Sequence, residues 1–453
     1  MRHVQEESIE PGIFKAYDIR GIVPDELGPG LARKIGRGLV DYLEAESIAV
    51  GRDMRDSSPE FARALCEGAM AGGAKVLDIG MTTTDMVYFA VPHFNLSGGA
   101  MVTASHNPKQ YNGFKLVGEG ALALSGDAGI KEIKERILSG RELPDKPGGE
   151  CVEKNVLPAY VKHVRSFIDP GVIRPLSVVM DAANGMAGAV APDIFAGLPL
   201  KRVEMYFEPD GSFPNHEANP LVEENRREII ERVRAEGADL GIAWDGDGDR
   251  CFFIDDLGEF VPGDFLTALL GEAFLLKEPG ATIIYDARAS WAVKDTVERL
   301  GGSALMNRVG HAFIKKRMRD ENAVFGGEIS GHFYFRENYF ADNGMIPALL
   351  ILELISKKGK KLSELLAPLR QKYFITGEIN SEVRDAPAIL AKLESQYADG
   401  RIYKLDGLSV EYADWHFNVR PSNTEPLLRL NLEALDRAKM NRQCEEVLAV
   451  IRS

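Results

Sequence analysis

Residues 238–250 read ADLGIAWDGDGDR. The apolar run Leu240–Trp244 has the length and composition of a buried strand, and it empties into three aspartates at alternate positions, Asp245, Asp247 and Asp249. A strand that delivers polar residues at its C-terminal end is the site-bearing unit of α/β layering. Gly246 and Gly248 keep the turn tight. Three clustered carboxylates repel one another unless a hard cation sits among them, and such cations take oxygen ligands. The stretch therefore predicts an α/β fold with a loop for a divalent metal. An acidic surface turn has the same composition. A calcium-binding EF-hand loop would need Gly at its sixth position and Glu at its twelfth, where this chain has Arg250 and Asp256. Mg²⁺ commonly combines one or two carboxylates with a phosphate oxygen, so a phosphate-bearing partner is expected nearby.

The same texture extends on both sides of this strand. The runs SIAVG (47–51), AKVLDIG (74–80), GGAMVTAS (98–105) and LSVVMDAANG (176–185) read as strands separated by segments of helical length. A polar stretch rich in Gly and Pro, SGRELPDKPGGE (139–150), reads as a linker. The pattern ends at DGDGDR and starts afresh with CFFIDD (251–256), ATIIYDA (281–287), SALMNRV (303–309) and AVFGGE (323–328). Beyond the helix-like PALLILELIS (347–356), the segment GLSVEYADWHFNVR (407–420) alternates as paired antiparallel strands do, and a helix is expected from about residue 436. The predicted fold is three consecutive α/β domains with mixed sheets followed by a smaller C-terminal α+β domain, arranged around a central active-site cleft. The expected boundaries are 1–150, 151–252, 253–368 and 369–453.

At 453 residues and 45% hydrophobic content the chain exceeds what one core supports, in keeping with several domains. A formal net charge of −14 argues against nucleic acid or an anionic membrane as partner. Cys66, Cys151, Cys251 and Cys444 are far apart in sequence with no CxxC pair, which suggests neither a zinc site nor a disulfide framework. With a polar N-terminus and no apolar run of membrane-spanning length, the expectation is a cytoplasmic protein.

Residues 103–108 read TASHNP and follow the strand GGAMV, which puts Ser105 and His106 in a loop at a strand's C-terminal edge. The flanks do not form GxSxG, and adjacency in sequence is not the geometry of a hydrolase triad. A phosphorylated serine, by contrast, would supply the oxygen that a cation on Asp245, Asp247 and Asp249 still lacks.

TASHNP, DGDGDR, GEISGH (327–332) and RPSNTEP (420–426) together resemble the four signature loops of the α-D-phosphohexomutase superfamily, in its order and approximate spacing, over essentially the whole chain. The resemblance is closest to its phosphomannomutase/phosphoglucomutase branch. It implies interconversion of hexose 1-phosphate and 6-phosphate (mannose, glucose or both) through a phosphoserine at Ser105 and a hexose 1,6-bisphosphate. One Mg²⁺ would be held by Ser105, Asp245, Asp247 and Asp249, with glucose or mannose 1,6-bisphosphate as activator. Phosphoryl transfer needs positioning and charge neutralisation, for which Arg250, Lys115 in YNGFK, and Tyr17 and Arg20 in FKAYDIRG are the expected parts. Glu328, Ser330 and His332 would grip sugar hydroxyls, and Arg420, Ser422, Asn423 and Thr424 the distal phosphate. His311 in RVGHA matches a substrate-contacting Gly-His. Two positions depart from the pattern. Ile329 replaces the Met usual in the mannose/glucose branch, while the phosphoglucosamine branch tends to have Gln. Arg288 in DARAS stands where many members have a phosphate-binding lysine. The alternatives are a phosphoglucosamine mutase, a metal-dependent sugar phosphatase and a non-catalytic sugar-phosphate sensor. The expected partners are small hexose phosphates, and the protein itself a monomer or dimer.

Overall fold

The computed structural model describes residues 10–126, 128–139, 144–422 and 427–453. The chain forms two compact units. The first takes in the chain up to Phe260 together with His332–Gly359, and the second comprises Val261–Gly331 and Lys360–Ser453.

Two mixed sheets organise the first unit. In one the order is Ile19–Ile22, Tyr111–Gly118, Gly98–Val102, Ser47–Arg52, Lys75–Met81 and Glu150–Glu153. Ser47–Arg52 lies parallel to both its neighbours, whereas Tyr111–Gly118 runs antiparallel to Gly98–Val102 and to Ile19–Ile22. The other sheet places Leu240–Trp244 parallel to Leu176–Asp181, which is parallel to Leu200–Met205. All residues of Gly98–Val102 and Leu240–Trp244 are buried, as expected of central strands that read as continuous apolar runs.

Three elements depart from the sequence reading. Cys251–Asp255 does not open a new domain. The DGDGDR turn reverses the chain, so that this strand pairs antiparallel with Leu240–Trp244, Trp244 facing Cys251. A tight turn can join antiparallel neighbours only, and a new parallel unit would have needed a crossover. Glu150–Glu153, all four residues exposed, extends the first sheet past residue 150 by pairing parallel with Lys75–Asp78. The helix Met345–Lys358 belongs with the first unit and not with the strands that precede it in sequence. It is apolar nearly all round, which demands burial on every side. It packs on the helix Leu157–Arg165 and the strand Cys251–Asp255, and just before it Gly344 accepts a hydrogen bond from Trp244 Nε1 at 2.8 Å.

The second unit contains the parallel strands Ser303–Asn307, Thr282–Asp286 and Phe325–Gly327, in that order, with helices Gly263–Lys277, Trp291–Arg299 and His311–Asp320. It ends in an antiparallel sheet whose central pair is Trp415–Pro421 with Leu427–Ala434, covered by helices Ala386–Gln396 and Arg437–Ile451. This is the α+β element foreseen from the change of texture near residue 370. No helix among the described residues is long and apolar enough to cross a membrane.

Candidate active site

The strand Gly98–Val102 delivers Ser105 in a left-handed backbone conformation, φ +52°, with 1% of its surface exposed. Thr103 Oγ1 accepts from Ser105 N at 2.9 Å and fixes the turn. Ser105 Oγ lies 2.9 Å from Asp245 Oδ2 and 3.1 Å from His106 Nδ1. The two loops approach backbone to backbone at Gly246, where a Cβ would sit 2.5 Å from the Ser105 carbonyl oxygen. Any side chain there would push serine and carboxylates apart.

Asp245, Asp247 and Asp249 are each at most 1% exposed and can present ligand atoms within 4.8 Å of one another. Burial first, then Asp247 and Asp249, hold the Asp245 carboxyl well above the usual carboxylate range. Asp249 is pushed up to about 6, mainly by burial and by Asp247. Burial acts on Asp247 in the same sense, yet Lys115 overrides it and keeps that carboxyl ionised. Lys115 Nζ donates to Asp247 Oδ2 at 2.6 Å and to Asp249 Oδ2 at 2.5 Å, and the two carboxylates outweigh desolvation to hold it as an ammonium. Thr84 Oγ1 also donates to Asp247 Oδ2, at 2.6 Å. The remaining oxygens, Asp247 Oδ1 and Asp249 Oδ1, are buried with no hydrogen-bond partner. Orphaned carboxylate oxygens beside a serine hydroxyl are the donor set a hard divalent cation requires, so the residues fit Mg²⁺.

Arg250 Nε lies 3.5 Å from Asp245 Oδ2 and donates to His332 Nε2 at 3.3 Å, and His332 Nε2 is 3.6 Å from Asp249 Oδ1. His332 is thereby tied to the aspartate loop within the first unit, whereas Glu328 and Ser330 of the same sequence motif belong to the second. Desolvation, then Arg250 and Arg20, push the His106 imidazole well below its ordinary value, so that it stays neutral. Arg20 is ion-paired with Asp18 and donates to Asn107 Oδ1 at 2.8 Å, which ties it to the Ser105 loop. Tyr17 is half-buried just before the strand that carries Arg20.

In the second unit, Ser330 Oγ donates to Glu328 Oε2 at 3.3 Å. Arg288 is buried against carboxylates. It contacts Asp286 through Nε at 3.0 Å and Nη2 at 2.9 Å, and it reaches Glu328 at 3.5 Å and Glu378 at 3.4 Å. The guanidinium suspected of replacing a phosphate-binding lysine is thus already committed to three acidic partners. Glu378 also meets Arg420 at 3.6 Å and Arg429 at 3.0 Å. Burial would raise its carboxyl, but Arg288, Arg420 and Arg429 bring it below the ordinary value. Arg429 sits directly across the sheet from Arg420 and donates to Ser422 Oγ at 3.4 Å. The sequence reading missed Arg429 and Glu378, because neither lies in a signature loop and cross-strand register alone brings them there. His311 is half-buried at the start of its helix. Asn423 and Thr424 lie outside the described residues.

The fold is shared with known enzymes. Four models of the phosphoglucomutase/phosphomannomutase family match consecutive segments. They are α/β/α domain I over residues 11–143, domain II over 158–258, domain III over 262–373 and the C-terminal domain over 378–450. The chain is 45% identical over 442 residues to the phosphohexose mutases protein of Xanthomonas campestris, with 97% of this chain and 99% of the relative covered. It is 44% identical over 450 residues to a phosphomannomutase of Escherichia coli, at the same coverage. A crystal structure of a phosphoglucomutase/phosphomannomutase family protein from Burkholderia thailandensis superimposes with a TM-score of 0.89 at 34% identity, covering 98% of this chain and 97% of that one. The chain belongs to the phosphoglucomutase/phosphomannomutase family, and is a mutase of the isomerase class.

Proposed function

We propose that this mutase interconverts the 1-phosphate and 6-phosphate of a hexose, mannose or glucose or both, through a phosphoserine at Ser105 and a hexose 1,6-bisphosphate. The observation that carries this reading is Ser105 Oγ, buried and within hydrogen-bonding reach of both Asp245 and a neutral His106, beside carboxylate oxygens that lack partners. Asp245, Asp247 and Asp249 would hold one Mg²⁺, which when bound neutralises charge on the transferring phosphoryl group. A free O1 or O6 of the sugar phosphate attacks phosphorus as the bond to Ser105 Oγ breaks. The sugar hydroxyl gives up a proton and Oγ gains one. His106, 3.1 Å from Oγ and held neutral, suits that transfer, whereas Lys115 is kept protonated and serves as positive charge. The bisphosphate then turns end for end and returns its other phosphate to Ser105.

Glu328 and Ser330 would accept and donate to sugar hydroxyls, with His311 and His332 as further contacts. Arg420 and Ser422, with Asn423 and Thr424 and with Arg429 added, would bind the distal phosphate. Glucose or mannose 1,6-bisphosphate serves as activator by phosphorylating Ser105. The protein works in the cytoplasm as a monomer or dimer, with small hexose phosphates and neither nucleic acid nor membrane as partners. The relatives named as phosphomannomutases favour mannose or glucose over glucosamine, and Ile329, apolar like Met, is consistent with that preference.

Phosphorus NMR of the protein with Mg²⁺, a trace of glucose 1,6-bisphosphate and one hexose 1-phosphate per tube tests the reading. The expected result is the 6-phosphate of mannose or glucose, with turnover in Ser105→Ala lowered at least about a thousandfold. Near-normal turnover in that variant would overturn the phosphoserine route. Inorganic phosphate without isomer would indicate a phosphatase, and a dominant glucosamine 6-phosphate signal would move the chain to the phosphoglucosamine branch.

A further inference from the structure

Cys66, Asp78 and Cys151 are remote in sequence, and folding brings them together at the outer end of the first sheet. Cys66 lies in the helix Ser58–Ala71 and is 5% exposed, Asp78 is half-buried in the strand Lys75–Met81, and Cys151 is exposed on the strand Glu150–Glu153. One ligand atom from each, two sulfurs and a carboxylate oxygen, can lie within 4.8 Å of the others. Asp78 Oδ1 accepts from Gly80 N at 2.9 Å, which orients its carboxylate. Glu153 is the register partner of Asp78, and being two residues from Cys151 it faces the same side of the sheet. We propose that Cys66, Asp78 and Cys151 form a binding site for a borderline-soft divalent cation of the zinc class, with solvent or Glu153 completing the coordination.

Two features favour such an ion. Paired thiolates select zinc-class cations over Mg²⁺ and Ca²⁺, which separates this site chemically from the all-carboxylate cluster at Asp245. Two sulfurs and a carboxylate from three different elements leave one side open to solvent, as a four-coordinate ion needs. The ion would fasten to the helix a short edge strand that has no buried side chain of its own.

Co²⁺ added to the full-length reduced protein in excess Mg²⁺ tests the site, because thiolate ligands give a near-ultraviolet charge-transfer absorption and carboxylates do not. We expect one Co²⁺ per chain with that absorption, bleached by an equimolar addition of Zn²⁺. It should be lost in Cys151→Ser and Cys66→Ser, and Co²⁺ affinity should fall at least about tenfold in Asp78→Asn. Cys151→Ser alters only an exposed edge position and should keep full mutase activity, which certifies its fold. Absence of the absorption while all four thiols titrate as free, or its persistence in Cys151→Ser, would overturn the proposal. So would a disulfide between Cys66 and Cys151 in protein purified without oxidant.

Discussion

The guanidinium of Arg55 donates through Nη2 to the carbonyl oxygen of Ser105 at 2.9 Å. The same side chain donates to the carbonyls of Asn107 at 2.6 Å, Pro108 at 2.9 Å and Tyr111 at 2.9 Å, and its Nε reaches Asp53 Oδ2 at 3.1 Å. Those bonds use all five guanidinium donors. Arg55 is a buried bracket beneath a loop whose serine sits in a conformation that L-residues avoid.

Arg55→Lys should therefore misplace Ser105 without touching substrate. A single ammonium cannot span four carbonyls. We expect kcat to fall by about tenfold to a hundredfold with little change in KM, the signature of a displaced reacting group. Steady-state kinetics on folded variant decide it, and an unchanged kcat would show that the loop holds its shape unaided.

Lys115→Met should leave Asp247 and Asp249 buried without their counter-charge. Breaking a buried ion pair from one side costs about 3–5 kcal/mol, so the metal-free variant should unfold at clearly lower urea. Mg²⁺ supplies the missing charge and should stabilise the variant more than it stabilises the parent protein. Urea denaturation with and without Mg²⁺ measures both effects. Equal stabilisation of the two proteins would place Mg²⁺ elsewhere.

Mg²⁺ affinity should rise with pH. Asp249 is held at about 6 and Asp245 well above the usual range, and a protonated carboxyl cannot ligate. Each raised group must lose its proton before the ion binds. Below pH 6 the affinity should therefore drop by at least about tenfold per unit, and it should climb between pH 5 and 7. Calorimetric titration with Mg²⁺, or paramagnetic resonance with Mn²⁺, would show this. A flat profile over that range would mean that the carboxylates are ionised without the metal.

Arg429→Ala should weaken binding of the sugar phosphate and spare the chemistry. Hydrogen bonds to charged groups contribute about 1.5–3 kcal/mol, so KM should rise by about tenfold to a hundredfold while kcat changes less. Arg420→Ala should behave alike, since the two face each other across the sheet. A fall in kcat at constant KM would remove Arg429 from phosphate binding.

The legibility of this protein in its sequence depends on the range of the interaction. Apolar runs that end in DGDGDR and TASHNP determined that strands exist there and deliver carboxylates and a serine at their ends. Periodicity and turn chemistry act over a few residues and can be read from neighbours. Tertiary structure alone decided that Arg55 underpins the Ser105 loop and that Cys251–Asp255 turns back on its predecessor. It also decided that Arg429 faces Arg420 and that Cys66 nears Cys151. Those juxtapositions arise from register and packing between elements far apart in the chain. No local preference encodes them, because each residue's contribution is set by which distant surface buries it.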